Sequence, residues 1–152
     1  MVISTANEND LKRISVIEEK NFDDSWSYDA LKSQFNSPNC IFLTARDKKT
    51  IIGYAIFTYV CDEAELLRIC VEKRHRRRSV ATKLFEEMER IIEDKMIICC
   101  FLEVRSSNDA AVAFYTKQGF TTVGKRSGYY AMYNNEDAYL MTKRYRLKIK
   151  RD

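Results

Sequence analysis

Leu11, Ile14 and Ile17 recur at the spacing of one helical face and predict a helix over residues 9–21, behind a short VIST strand at 2–5. Ser27 stands as the N-cap of a second short helix that runs to Phe35. Two β-rich apolar runs at 40–45 and 51–59, joined by the polar DKKT, predict a hairpin, and a third strand follows at 65–71 behind CDEA. From there Val80, Leu84, Met88, Ile91 and Ile92 share one face, while Glu86, Glu87, Glu89, Arg90, Glu93 and Asp94 lie mostly opposite, which describes a long amphipathic helix. Residues 96–104 are apolar on both sides until Glu103, the pattern of a central strand covered on both faces. A helix over 108–118 has Asn108 as its cap and Gly119 as its stop, and FTTVGKRSGYY (120–130) and AYLMTKRYRL (138–147) supply two final strands. The resulting order is a mixed α/β fold, of the α+β kind, with its antiparallel part first.

At 152 residues and 45% hydrophobic content the chain suits a single domain over 1–152, and no repeat, low-complexity tract or Pro/Gly-rich linker divides it. Its net charge of +4, from 26 basic and 22 acidic residues, does not announce a nucleic-acid partner. Cys40, Cys61, Cys70, Cys99 and Cys100 lack CxxC spacing and sit in apolar stretches, as reduced thiols of a cytoplasmic protein do. With His75 as the sole histidine, no metal site is expected. The leading MVISTANENDLKR has no apolar run before a small-residue cleavage site. MIICCFL at 96–102 is far short of the roughly 20 residues of a membrane span, so no membrane partner is expected either.

Positive charge gathers in one place, RHRRRSVATKL at 74–84, directly ahead of the long helix. A helix N-terminus offers unpaired N–H groups and the positive end of the dipole. Arg76, Arg77 and Arg78 add forked donors just before Ser79, Val80 and Ala81, so phosphate groups fit there. A solvated basic loop or a nucleic-acid patch accounts for the same residues.

Written as R-x-x-S-x-A, residues 76–81 resemble the Q/R-x-x-G-x-G/A loop with which the GNAT N-acetyltransferases bind the pyrophosphate of acetyl-CoA. LEVRSSNDAAVAFYTKQGF (102–120), GYY (128–130) and EDAYLM (136–141) resemble the branch of that family that acetylates N-terminal amines. FDDSWSYDALKSQF (22–35) and DEAELLRICV (62–71) are similar to its substrate-side segments, so the resemblance covers nearly the whole chain. It implies a GNAT fold: a mixed twisted sheet of about seven strands flanked by about four helices, whose fourth and fifth strands splay to admit acetyl-CoA. One residue departs from the pattern, because Ser79 stands where the loop has its first glycine. If that position needs a positive φ, serine costs roughly 1–2 kcal/mol relative to glycine.

The resemblance implies cofactor contacts from Ile69, Cys70, Val71, Arg76, Arg77, Arg78, Ser79, Val80, Ala81, Thr82 and Asn108, and peptide contacts from Trp26, Tyr129 and Tyr130. Glu103 interrupts an apolar strand, where burial would raise its proton affinity toward that of a working base. Taken alone it reads sooner as a strand-end glutamate, exposed or paired with Arg105. Tyr115 taken alone is a helical aromatic packed against Val112, and Asn108 a helix cap. The resemblance makes Glu103 the general base and Tyr115 the acid that protonates the coenzyme A thiolate. A backbone N–H of residues 69–71 is the expected oxyanion donor. An acetylated Cys70 is disfavoured because the one histidine belongs to the basic loop, which leaves direct attack.

At pH 7 an α-amine, with a pKa of about 8, costs about 1.4 kcal/mol to deprotonate and a lysine, at about 10.4, costs about 4.6, so an N-terminal amine is the easier substrate. Asp62, Glu63 and Glu65 attract a basic N-terminal tail or form a solvated turn. The resemblance implies acetyl-CoA-dependent acetylation of a protein N-terminus, the N-terminal alanine of the eighteenth small-subunit ribosomal protein in particular. The alternatives are a broader N-terminal acetyltransferase of the archaeal type and a non-catalytic basic module on RNA or the ribosome.

Overall fold

A computed structural model describes residues 1–130 and 136–147. In chain order its elements are β1 (Val2–Thr5), a 3-10 turn (Glu8–Asp10), α1 (Leu11–Asn21), α2 (Tyr28–Phe35), β2 (Cys40–Asp47), β3 (Thr50–Val60) and β4 (Glu63–Val71). There follow a second 3-10 turn (Lys73–His75), α3 (Val80–Asp94), β5 (Cys99–Arg105), α4 (Asp109–Lys117), β6 (Thr121–Tyr130) and β7 (Glu136–Arg144). The expected order of elements is the one observed. The first helix begins two residues late because Asn7 and Asp10 close a capping box around a 3-10 turn, each side chain accepting a backbone N–H at 3.0 Å.

One seven-stranded sheet runs β1-β2-β3-β4-β5-β7-β6, antiparallel except where β4 meets β5. Its two faces carry separate cores. Leu11, Ile14 and Ile17 of α1 and Leu31 of α2 pack on Phe42, Tyr54 and Ile56 of one face. On the other, Val80, Leu84, Phe85, Met88 and Ile92 of α3 meet Leu43, Phe57, Leu66, Leu102 and Met141. Phe85, outside the stripe read from the sequence, is buried and meets Phe120 edge-on at 5.7 Å, whereas Ile91 only flanks this core. Lys143 of β7 ties the far half of the sheet to α3, reaching the Glu89 carboxylate and the Gln118 carbonyl, with the Tyr145 hydroxyl also donating to Glu89.

The strand expected over 96–104 starts only at Cys99, because Met96 turns in the left-handed region (φ 57) and is 64% exposed. Its expected burial on both faces is also corrected. Cys100, Leu102 and Val104 are buried, but Cys99, Phe101, Glu103 and Arg105 are half-buried, since the α1–α2 core contains no residue of β5. Two glycines answer local demands. Gly119 ends α4 with φ 96. Gly53 lets β3 and β4 approach so closely that a Cβ there would lie 2.8 Å from the Cys70 carbonyl oxygen.

Between β4 and α3 the chain is left-handed twice, at Arg77 (φ 61) and at Ser79 (φ 59). An L side chain in that region costs about 1–2 kcal/mol, while glycine is free of the penalty but loses more chain entropy on folding. Ser79→Gly should therefore stabilise the protein by about 1 kcal/mol net, raising Tm by about 3 °C in a thermal melt.

Candidate active site

β4 and β5 are in register at only three positions, Glu63 with Cys99, Ala64 with Cys100 and Glu65 with Phe101. Past Glu65 they part, β4 following β3 to Val71 and β5 following β7 to Arg105. The opening is a cleft of about 640 Å³ that reaches both faces of the sheet, lined by Phe22 and Asp24 on the α1 side and by Ala111, Phe114 and Tyr115 of α4 on the other. Ile69, Cys70 and Val71 present the β4 backbone edge to it, with no ladder partner there.

The arginine run does not act as one cluster. Arg76 is committed to the fold, its Nε donating to the Val71 carbonyl at 3.0 Å and its Nη2 to Asn21 Oδ1 at 2.8 Å. Arg78 turns away to Asp47 (3.5 Å) and His75 Nδ1 (2.9 Å) and, like Ser79 and Thr82, is not among the residues lining the cleft. Arg76, Arg77, Val80 and Ala81 do line it, and Arg77 has no ion pair or side-chain hydrogen bond with the described residues. The Ser79 hydroxyl caps nothing, leaving the first N–H groups of α3 open. Asn108 caps α4, accepting from the Ala111 N–H at 3.2 Å, and also lines the cleft.

Glu103 and Tyr115 reach this cleft from different elements. The Glu103 carboxylate is 19% exposed and accepts from Arg126 Nη1 of β6 at 2.6 Å. It is thus not enclosed by the apolar strand, and the expected alternative partner, Arg105, faces Glu136 instead (3.6 Å). Tyr129, mostly exposed, stacks under Arg126 at 4.4 Å and hydrogen-bonds Glu103 without lining the cleft; Tyr130 lines it. Burial, and then the Glu103 charge, pushes the Tyr130 phenol up to about 12. Tyr115 is buried against Phe114 and Phe120, at 5.4 and 5.9 Å, rather than by Val112 alone, and burial pushes its phenol up as well. Cys70 and Cys100 are buried thiols raised to about 12, so neither is a thiolate at neutral pH. Glu65 also rises above its ordinary value through burial and the neighbouring Glu103.

Beside these lies a network that the sequence did not disclose. Glu18, fully buried, accepts from the Tyr54 hydroxyl, from Arg68 Nε at 2.9 Å and from the Trp26 N–H at 3.1 Å. Arg68 Nη2 donates to the Asp24 carbonyl at 2.9 Å, and the guanidinium lies 4.2 Å from the Phe22 ring centre and 5.0 Å from that of Trp26. Trp26 is therefore a partner of Arg68 and is not itself among the residues lining the cleft, whereas Arg68 is. The available signal was a carboxylate at position 18, one helical turn after Ile14 on the apolar face of α1.

The Acetyltransferase (GNAT) family pattern matches residues 10–120. The chain is 32% identical over 138 residues to the N-alpha-acetyltransferase RimI of Mycobacterium tuberculosis, covering 87% of this chain and 85% of that protein. It is 31% identical over 140 residues to the ribosomal protein bS18 alanine N-acetyltransferase of Escherichia coli, covering 91% and 94%. It is also 34% identical over 148 residues to an uncharacterised Mycobacterium leprae protein, of whose length it spans 40%. The crystal structure of the ribosomal-protein-S18-alanine N-acetyltransferase from Escherichia coli superposes with a TM-score of 0.89 at 27% identity, covering 99% of this chain and 96% of that one. A sheet that opens between its fourth and fifth strands in front of a helix N-terminus thus comes with a family match over most of the chain, and the protein belongs to the acetyltransferase (GNAT) family, an enzyme whose acetyl donor is acetyl-CoA.

Proposed function

We propose that the chain acetylates the N-terminal α-amine of a protein, and that the alanine at the start of ribosomal protein bS18, on which the E. coli relative acts by its name, is the substrate. The parting of β4 from β5 carries this reading: it gives one cleft a carboxylate from β5, a phenol from α4 and an unpaired backbone edge from β4. The residues fit acetyl-CoA. The open N–H groups at the start of α3 and the unpartnered Arg77 would hold its pyrophosphate, and the N–H groups of residues 69–71 would hold its acyl end, with Asn108 beside it. When bound, acetyl-CoA supplies an activated acetyl thioester.

The protein's own groups move the protons. Glu103 Oε takes the proton of the incoming α-amine, directly or through a water. Its ion pair does not lock it, because Arg126 is 57% exposed and water competes for the guanidinium. Tyr115 Oη keeps its proton at neutral pH and delivers it to the departing sulfur. Burial raises the phenol, but it also raises the thiol of Cys70, which lines the same cleft, so a sulfur there gains proton affinity alongside its donor. With Cys70 held as a neutral thiol, the amine attacks without an acetylated enzyme. The five free cysteines suit the reducing cytoplasm as the place of action, and no helix among the described residues is long and apolar enough to cross a membrane.

Peptides that begin with Ala or Ser and carry an internal lysine should, with acetyl-CoA, gain a single acetyl group on the α-amine in mass spectrometry. Acetylation confined to the lysine would sink the substrate assignment. Glu103→Gln should lower kcat by about a hundredfold and Tyr115→Phe by about ten- to a hundredfold, with acetyl-CoA affinity by calorimetry changed less than threefold in both.

A further inference from the structure

Arg68 is a cation at the wall of the cleft that the chemistry above leaves without a task. It lies on the same side as Phe22 and Asp24, the face opposite α3 and α4, and its side chain is 14% exposed. Its position is set from three directions: Glu18 takes Nε, the Asp24 carbonyl takes Nη2, and the Phe22 and Trp26 rings flank the guanidinium. It cannot swing out, because the Glu18 carboxylate beneath it is wholly buried and would be left without its counter-charge. Those bonds use Nε and Nη2, and Nη1 takes part in none of them.

We infer that Arg68 is the end wall of the pocket that receives the first side chain of the peptide, and that it restricts this enzyme to small first residues. The inference rests on the N-terminal acetylation proposed above. A guanidinium held in place cannot make room as a free arginine would. A long apolar side chain pressed against Nη1 would bury a charged donor with no acceptor, and a lysine would meet like charge. Alanine, serine and glycine stop short of it. Arg68, Asp24, Tyr130 and Glu103 line one cleft, and Glu103 points away from the α3 core that takes Leu102 and Val104, toward the face of the sheet on which Arg68 meets α1.

The test is the ratio of kcat/KM for Ala-initiated over Met-initiated peptides that share the rest of their sequence, with Leu- and Lys-initiated peptides alongside. The unaltered enzyme should favour Ala at least thirtyfold. Arg68→Ala combined with Glu18→Gln, which removes the buried charge together with its partner, should cut that ratio at least tenfold, mainly by lowering KM for the Met peptide. Glu18→Gln alone keeps the guanidinium but removes the charge that pins it, and should cut the ratio by less than either Arg68 variant does. Arg68→Lys keeps a counter-charge for Glu18 but shortens the wall, and should cut the ratio severalfold; it decides the matter if the double variant fails to fold. Acetyl-CoA affinity should be constant throughout. An unchanged ratio in the folded Arg68 variants, or equal use of Ala and Met by the unaltered enzyme, overturns the inference. Failure to acetylate any α-amine overturns the N-terminal reading and this inference with it, and is told apart by loss across every peptide.

Discussion

The interrupted ladder between β4 and β5 is the constraint on which the rest depends. Three residue pairs join two half-sheets, so something other than strand pairing must hold them in register. The α3 core does so on one face, burying Leu84, Phe85, Met88 and Ile92 against strands of both halves, and the Lys143 contacts to Glu89 and Gln118 fasten β7 to the same assembly. Because packing does this work, the strand edges past Glu65 are left for a ligand, and Glu103 and Tyr115 reach the gap from opposite faces of the sheet.

The basic loop in front of α3 divides its labour. Arg76 spends its guanidinium on Val71 and Asn21, pinning the end of β4 to the end of α1, and Arg78 braces the turn that follows β2 through Asp47. Arg76 and Arg77 both line the cleft, and of the two it is Arg77 that has no partner among the described residues. The density of arginine is thus as much a matter of holding a strained connection, left-handed at two residues without glycine, as of attracting an anion.

Elements were legible where a single period decided them: the α1 and α3 stripes, the Ser27 and Asn108 caps, and the β2–β3 hairpin. The site was legible in outline, since Glu103, Tyr115, Asn108 and the loop carry a family pattern, and all but part of the loop come together in the cleft. Pairings between distant residues were not. Arg126 meets Glu103 across β7, which runs between β5 and β6, while Arg105, on the same face of β5 two residues further on, turns to Glu136, because strand register and not sequence distance decides which side chains lie side by side. Arg68 and Glu18 are 50 positions apart and joined only when α1 lies on β4. The open face of β5 was hidden for a similar reason: its composition suits burial, and only the placement of α1 and α2 over the other strands leaves it uncovered.

Gly53 extends the reach of the site to a position that no ligand touches. Its backbone lies so close behind Cys70 and Val71 that any side chain would push the β4 edge forward into the gap. The aperture is therefore calibrated from the rear of the sheet. A substitution there would narrow the space for a bound thioester while every contacting residue kept its identity, and a comparison of lining residues alone would overlook it.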